Sequence, residues 1–96
     1  MPERIVEVLN PSGLHARPAA TFVKAAAQLP TAVRLANLDR DPDRFVSTRS
    51  VLGVMGAGVS CGHRVRLVAE GEGADAALDT LEALIASGLG ELTDPR

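Results

Sequence analysis

Two segments with helical periodicity constrain this fold most, because each has an apolar face along one side only. They are Ala16–Leu29 and Ala74–Ser87, where apolar residues recur at steps of three and four, as on one face of a helix. The residues on these faces are Ala19, Phe22, Val23 and Ala26 in the first helix, and Leu78, Leu81 and Ile85 in the second. Both helices therefore need another apolar layer to cover that face.

Four segments supply that layer, because their composition and alternation predict β-strands. They are Arg4–Leu9, Ala32–Leu38, Phe45–Thr48 and Arg64–Glu70. A polar turn over Asp39–Asp43 joins the second and third strands, which we expect to pair as a hairpin. Ser50–Met55 predicts a short helix with Ser50 as its N-cap. The order β-α-β-β-α-β-α indicates an α+β sandwich of two layers, with helices on one face of an antiparallel sheet.

Length and composition limit the classes of protein to consider. The 96 residues suit one domain, which we place at residues 1–91, with 92–96 as a flexible C-terminal tail. A net charge of −2, the lack of a basic run and the absence of Trp and Tyr argue against nucleic acid and anionic membranes as partners. A single cysteine and no long apolar stretch fit a soluble protein of a reducing cytoplasm. We expect it to be a monomer.

The segment from Pro11 to Ala19 carries the candidate chemistry. It places His15 at the start of a predicted helix and Arg17 in its first turn. The positive end of a helix disfavours the imidazolium form, so we expect a neutral ring that can attack a phosphoryl group. The free backbone N–H groups of Ala16 and Arg17, and the Arg17 guanidinium, could then bind the phosphate. The alternative is that His15 only caps the helix and that Arg17 is a solvated side chain.

Several segments together resemble one known family. They are Gly13-Leu-His-Ala-Arg-Pro-Ala-Ala20, Phe22-Val-Lys24, Ser50-Val-Leu-Gly-Val-Met55 and Gly88-Leu-Gly-Glu91. The chain is similar over residues 3–91 to HPr, the histidine-containing phosphocarrier family of the bacterial phosphoenolpyruvate-dependent sugar phosphotransferase system. The resemblance implies an open-faced β-sandwich: a four-stranded antiparallel sheet covered on one face by three helices.

The same resemblance implies a role for the candidate residues. His15 would accept a phosphoryl group on Nδ1 from enzyme I and pass it to enzyme IIA proteins, while Arg17 helps to hold and release it. The protein would be a carrier rather than an enzyme, with no cofactor and no metal. Service in a different phosphorelay is a related possibility, and a general anion-binding domain is a further alternative.

Ser50 and its neighbours raise a second function. In some family members the matching serine is phosphorylated by a kinase and signals carbon status, for example to a transcriptional regulator; the alternative is that Ser50 is only an N-cap. We expect the apolar residues Val51, Leu52 and Met55, together with Phe22, to form the surface on which partners dock.

Two further features need an interpretation. Cys61 and His63 have a Cys-x-His spacing, but without a further cluster of ligands we favour a pair at a strand edge with no metal role. The turn over Asp39–Arg44 is longer than in common family members. We expect this turn to leave phosphoryl transfer undisturbed, while it puts the hairpin geometry in question and could alter partner specificity.

Overall fold

The elements follow the predicted order β-α-β-β-α-β-α in the computed structural model. The structure describes residues 2–89, and at position 16 it describes only the backbone. The strands are β1 (Glu3–Glu7), β2 (Val33–Asn37), β3 (Asp41–Ser47) and β4 (Arg64–Ala69). The helices are α1 (Ala16–Ala27), α2 (Val51–Gly56) and α3 (Ala74–Ala86). The tail predicted at 92–96 lies outside the described residues. None of the helices in the described range is long and apolar enough to cross a bilayer.

The four strands form one antiparallel sheet in the order β1-β4-β2-β3. This arrangement confirms the predicted open-faced sandwich. Residues on the covered face, such as Leu35 of β2 and Leu67 of β4, pair across the strands and are fully buried. On the other face Ile5 is 52% exposed, since no helix covers it.

The core between sheet and helices consists of aliphatic side chains and one aromatic ring. Its largest fully buried members are Phe22, Leu14, Leu35, Leu67, Leu78, Leu81, Ile85 and Leu89. Phe22 comes from α1, and the leucines and isoleucine of α3 contact the sheet beside it. Complete burial of one such side chain contributes about 1.5–3 kcal/mol, so this layer holds α1 and α3 on the sheet.

Arg4 joins β1 to α3 through three carboxylates. Its Nη2 donates to Asp79 at 3.0 Å and to Asp75 at 3.3 Å, and its Nε lies 3.6 Å from Glu82. The hydrogen bond to Asp79 is the largest cause of a raised pKa at Arg4. The strand's edge and the exposed side of α3 are therefore linked by charge as well as by packing.

The β2–β3 hairpin differs from the prediction. The predicted turn over Asp39–Asp43 is wrong, because β3 already begins at Asp41 and the chain reverses over Leu38–Arg40. Ala36 pairs with Phe45, but Asn37 pairs with Asp41, so residues 42–44 form a bulge. β3 is an edge strand, so a bulge and a proline at position 42 do not interrupt the hydrogen bonds between the inner strands. The other elements agree with their predicted bounds to within two residues at each end.

Hydrogen bonds to Asn37 and Asp39 stabilise the tight turn of this hairpin. Asn37 accepts the Arg40 N–H on its backbone carbonyl at 3.3 Å and the Asp39 N–H on its side-chain Oδ1 at 3.1 Å. Asp39 in turn accepts the Arg64 backbone N–H at 2.6 Å and the Arg64 Nη2 at 3.3 Å. The backbone bond is the main reason that the pKa of Asp39 is lowered. These bonds attach the turn to the start of β4.

Candidate functional site

His15 lies at the N-cap of α1, in an extended backbone conformation with φ −115° and ψ 152°. Its side chain makes no capping hydrogen bond, and the residue is partly exposed. The alternative that the ring serves as the helix cap is therefore wrong. An imidazole in this position is open to a reagent or partner approaching from solvent.

The loop before His15 is held by hydrogen bonds that the sequence did not reveal. The buried Asn10 donates from Nδ2 to the Gly13 carbonyl at 2.8 Å, and its own carbonyl accepts the Gly13 N–H at 3.0 Å. Leu14 is fully buried and donates its N–H to the Val59 carbonyl at 3.0 Å. Gly13 has φ +58°, and a Cβ there would overlap the Val59 oxygen. This loop therefore fixes where the chain enters α1.

The first turn of α1 offers donors to an anion. The first N–H groups of a helix have no intrahelical acceptor; at this end they include those of Ala16 and Arg17, while Pro18 has no N–H. The first turn of α1 contains no acidic residue that would offset the positive end of the dipole. Arg17 is exposed and makes no ion pair within the described part of the chain. A negatively charged group bound to the His15 ring would therefore be stabilised at this end of the helix.

An apolar surface lies on α2, the helix that contacts α1. Val51, Leu52 and Met55 are 39%, 83% and 38% exposed, whereas Val54 is fully buried against the core. The name α2 patch is used below for Val51, Leu52 and Met55. Exposed apolar side chains grouped in this way are typical of a surface that contacts another protein.

Phe22 was expected to belong to the docking surface, and this prediction is wrong. The ring is fully buried, because it lies on the inward face of α1 with Ala19 and Ala26. A side chain that is packed inside the core cannot also be presented to a partner. Phe22 therefore supports the site indirectly, because its packing fixes α1 on the sheet.

Ser50 caps α2, as predicted. Its Oγ accepts the Gly53 N–H at 3.0 Å, and the residue is exposed. A serine at this position satisfies one of the N–H groups that a helix start leaves without an acceptor.

Removal of this cap gives a measurable loss of stability. Ser50→Ala is expected to lower the free energy of unfolding by about 1 kcal/mol, measured by urea denaturation. Ser50→Thr, which keeps an acceptor oxygen, is the matched control and is expected to lose less. Equal losses in the two variants would show that the Oγ–Gly53 bond does not stabilise α2.

Cys61 and His63 each have hydrogen-bond partners within the domain. The Cys61 thiol donates to the Leu9 carbonyl at 3.5 Å. The His63 Nδ1 accepts the Ser60 N–H at 3.1 Å and lies 3.1 Å from Nδ2 of Asn37. Within residues 2–89 no group of three or more His, Cys, Asp or Glu side chains could hold a metal. These hydrogen bonds link the turn before β4 to Leu9 and to Asn37.

Comparisons with known proteins agree with this geometry. A family model described as "PTS HPr component phosphorylation site" matches residues 2–87. A crystal structure of HPr-C-His from Thermoanaerobacter tengcongensis superposes with a TM-score of 0.85 at 38% identity, covering 96% of this chain and 99% of that one. The fold and the family model together define a phosphocarrier of the phosphotransferase system. The chain belongs to the HPr family.

Relatives of this chain differ in length. The phosphocarrier protein HPr of Streptomyces coelicolor is 44% identical over 94 residues, and the match covers 98% of each protein. The multiphosphoryl transfer protein of Haemophilus influenzae is 42% identical over 84 residues, which are 88% of this chain and 17% of that protein. The chain thus spans about a sixth of that longer relative. Another Thermoanaerobacter tengcongensis structure, with a TM-score of 0.69, is of an HPr dimer.

Proposed function

We propose that this protein carries a phosphoryl group on His15, which it accepts from phosphorylated enzyme I and passes to a histidine of enzyme IIA proteins. The observation that carries this proposal is the partly exposed His15 ring at the start of α1, which makes no capping bond of its own. Membership of the HPr family supports it. We place this transfer in the cytoplasm, because a chain with a single cysteine fits a reducing compartment.

The transfer step needs no general base. The Nδ1 lone pair of the neutral His15 ring forms the new P–N bond while the P–N bond to the donor histidine breaks and its electron pair returns to the donor nitrogen. In a second exchange of the same kind, a ring nitrogen of the enzyme IIA histidine forms a new P–N bond while the P–N bond to His15 breaks and its electron pair returns to Nδ1. Both bonds are of the same type, so the group can move on without a large change in free energy.

The surroundings of His15 suit temporary binding. The Ala16 and Arg17 N–H groups and the Arg17 guanidinium stabilise the oxygens of a phosphoryl group on the ring. Arg17 is exposed, and an exposed ion pair contributes only about 0.2–1 kcal/mol. Weak charge pairing of this size orients the phosphate without holding it back from the next acceptor.

Docking of both partner proteins is assigned to the α2 patch. These side chains belong to the helix that contacts α1, whose start carries His15. Met55 has a flexible, polarisable side chain that adapts to more than one surface. A patch on the helix that contacts α1 would allow a donor and an acceptor to bind in turn.

The test is phosphorylation by phosphoenolpyruvate and a bacterial enzyme I. We expect one phosphoryl group per chain, labile to acid and stable to base, in the peptide that contains His15. Arg17→Gln should be labelled more slowly with an unchanged free energy of unfolding. A label on another residue, or no label with active enzyme I, would contradict the proposal.

A second candidate function is regulation through Ser50. This serine is exposed beside the α2 patch, so a phosphate there would add negative charge to the docking surface. The start of a helix also tolerates that charge. Incubation with ATP and the kinase that phosphorylates the matching serine in some family members should label Ser50 and slow labelling by enzyme I. If the protein takes no label from ATP, only the carrier function remains.

A further inference from the structure

The peptide group between Val59 and Ser60 lies between the loop that carries His15 and the turn that precedes β4. Its carbonyl accepts the Leu14 N–H at 3.0 Å, and its N–H donates to Nδ1 of His63 at 3.1 Å. A trans peptide group is planar, and its C=O and N–H point in opposite directions. One rigid unit therefore joins the His63 ring to the residue directly before His15.

Hydrogen-bond partners assign the position of the ring proton on His63. Asn37 is 2% exposed; its Oδ1 accepts the Asp39 N–H at 3.1 Å, and its Nδ2 donates to the Ala57 carbonyl at 3.1 Å. These two bonds set the orientation of the amide, so the Asn37 atom that lies 3.1 Å from Nδ1 of His63 is a donor. The Ser60 N–H is a donor as well. Nδ1 therefore acts as an acceptor, and the ring proton is on Nε2.

The backbone around this peptide does little to fix its direction. Gly58 and Gly62 lie on either side of it, with φ of +66° and +93°. Glycine has the widest choice of backbone conformations, so a segment between two glycines can rotate more easily than others. The fully buried side chain of Val59 attaches the segment to the core, but it does not set the direction of the next N–H. The hydrogen bond to His63 supplies that direction.

The other side of the peptide is in close contact with the loop before His15. A Cβ on Gly13 would overlap the Val59 oxygen, and Leu14, which follows Gly13, is fully buried. A rotation of the peptide would move this oxygen against Gly13 or away from the Leu14 N–H. Either movement displaces the residue before His15, and α1 begins directly after His15. The position of the ring relative to the first N–H groups of α1 thus depends on this peptide.

We propose that His63 is a positioning residue for phosphoryl transfer at His15. It takes no part in making or breaking the P–N bonds; it orients the Val59–Ser60 peptide, which fixes Leu14 and the start of α1. Hydrogen bonds in series also polarise one another, so an acceptor on the Ser60 N–H strengthens the bond to the Val59 carbonyl. This inference rests on the proposed function and gives the second histidine of the chain a role in it.

Single-turnover transfer from phosphorylated enzyme I to the variant His63→Ala tests this role. The variant leaves the Ser60 N–H without its acceptor. We expect the limiting rate of transfer to fall about three- to tenfold, the size of effect that one hydrogen bond can have. The protein concentration that gives half of this rate should change less than about twofold, because the α2 patch is unaltered.

Two conservative variants identify the atom that matters. His63→Asn places an oxygen at the position of Nδ1, where it can accept the Ser60 N–H, and should keep the rate within about a factor of two of the unaltered protein. His63→Gln places its amide at the position of Nε2, so we expect it to resemble His63→Ala. An Asn variant as slow as the Ala variant, or a Gln variant as fast as the unaltered protein, would overturn the proposal.

A small phosphoryl donor separates positioning from docking. Phosphoramidate needs no protein surface to bind, so its labelling of His15 should slow in His63→Ala by a factor similar to that for enzyme I. If labelling by phosphoramidate is unchanged while transfer from enzyme I is slow, the substitution acts on docking and the positioning role is wrong.

Amide hydrogen exchange distinguishes a local effect from a loss of the whole fold. In His63→Ala we expect exchange at Leu14 to accelerate about three- to tenfold more than exchange at Leu81, a buried residue of α3 that reports global unfolding. Protection at Leu14 should return in His63→Asn. An equal acceleration at the two amides would show that His63 only stabilises the fold.

The two proposals can fail separately. If the unaltered protein takes no label from active enzyme I, the proposed function is wrong, and exchange at Leu14 still shows whether His63 holds the loop. If the unaltered protein is labelled and His63→Ala accepts the group at the same rate, only the positioning role is wrong.

Discussion

Replacement of His15 by alanine is expected to abolish phosphorylation by enzyme I and to leave the fold intact. The ring is partly exposed and makes no capping bond, so its removal deletes little packing. Surface substitutions of this kind change the free energy of unfolding by about 0.5 kcal/mol or less. The variant would lose the nucleophile and keep the docking surface, so it should still compete with the unaltered protein for enzyme I.

The other histidine supplies the control. The chain contains two histidines, and His63 accepts the Ser60 N–H on its Nδ1 beside Asn37. His63→Asn replaces that nitrogen with an oxygen that can accept the same bond, and we expect full labelling. Label that persists in His15→Ala, or that is lost in His63→Asn, would show that the phosphoryl group is carried elsewhere.

Substitution of Gly13 by alanine should destabilise both the fold and the site. At φ +58° an L-residue costs about 1–2 kcal/mol, and the new Cβ would also overlap the backbone oxygen of Val59, which cannot rotate away. We expect a total loss of about 3 kcal/mol or more in the free energy of unfolding. The loop that positions His15 would shift as well, so labelling by enzyme I should slow even in the folded fraction.

The variant Gly71→Ala separates the cost of a positive φ from the cost of the contact with Val59. Gly71 also has positive φ, at +86°, but a Cβ there would have no neighbour within 4 Å. Urea denaturation should therefore show a loss of about 1–2 kcal/mol for this variant and an unchanged labelling rate. If the two alanine variants are equally stable, the contact between the Gly13 loop and Val59 does not constrain the site.

Much of the fold could be read from local patterns. The periodicities of Ala16–Leu29 and Ala74–Ser87 gave two helices that the structure confirms, because an apolar face on a helix or strand is a property of neighbouring residues. Ser50 was identified as a cap for the same reason, since its acceptor bond closes within three residues. His15 was identified as a candidate because it precedes a helix, which the structure also shows.

Other features depend on contacts between distant segments. The bulge opposite Ala36 and Asn37 is tolerated because β3 is an edge strand. Pro42 is compatible with an edge position, but only the order of the strands in the sheet shows where β3 lies. Phe22 is apolar on any hydrophobicity scale, and only the packing of α1 shows that its ring is buried rather than presented to a partner.

The amino-acid sequence by itself determined the order of the elements, the helix start at His15 and the family, since each depends on residue types at short spacing. Tertiary structure decided which apolar residues are left exposed on α2, how Asn10, Gly13 and Val59 hold the loop, and how the Val59–Ser60 peptide links His63 to Leu14. The physical reason is that exposure, close approach and hydrogen bonds between loops arise only when segments far apart in the chain pack together.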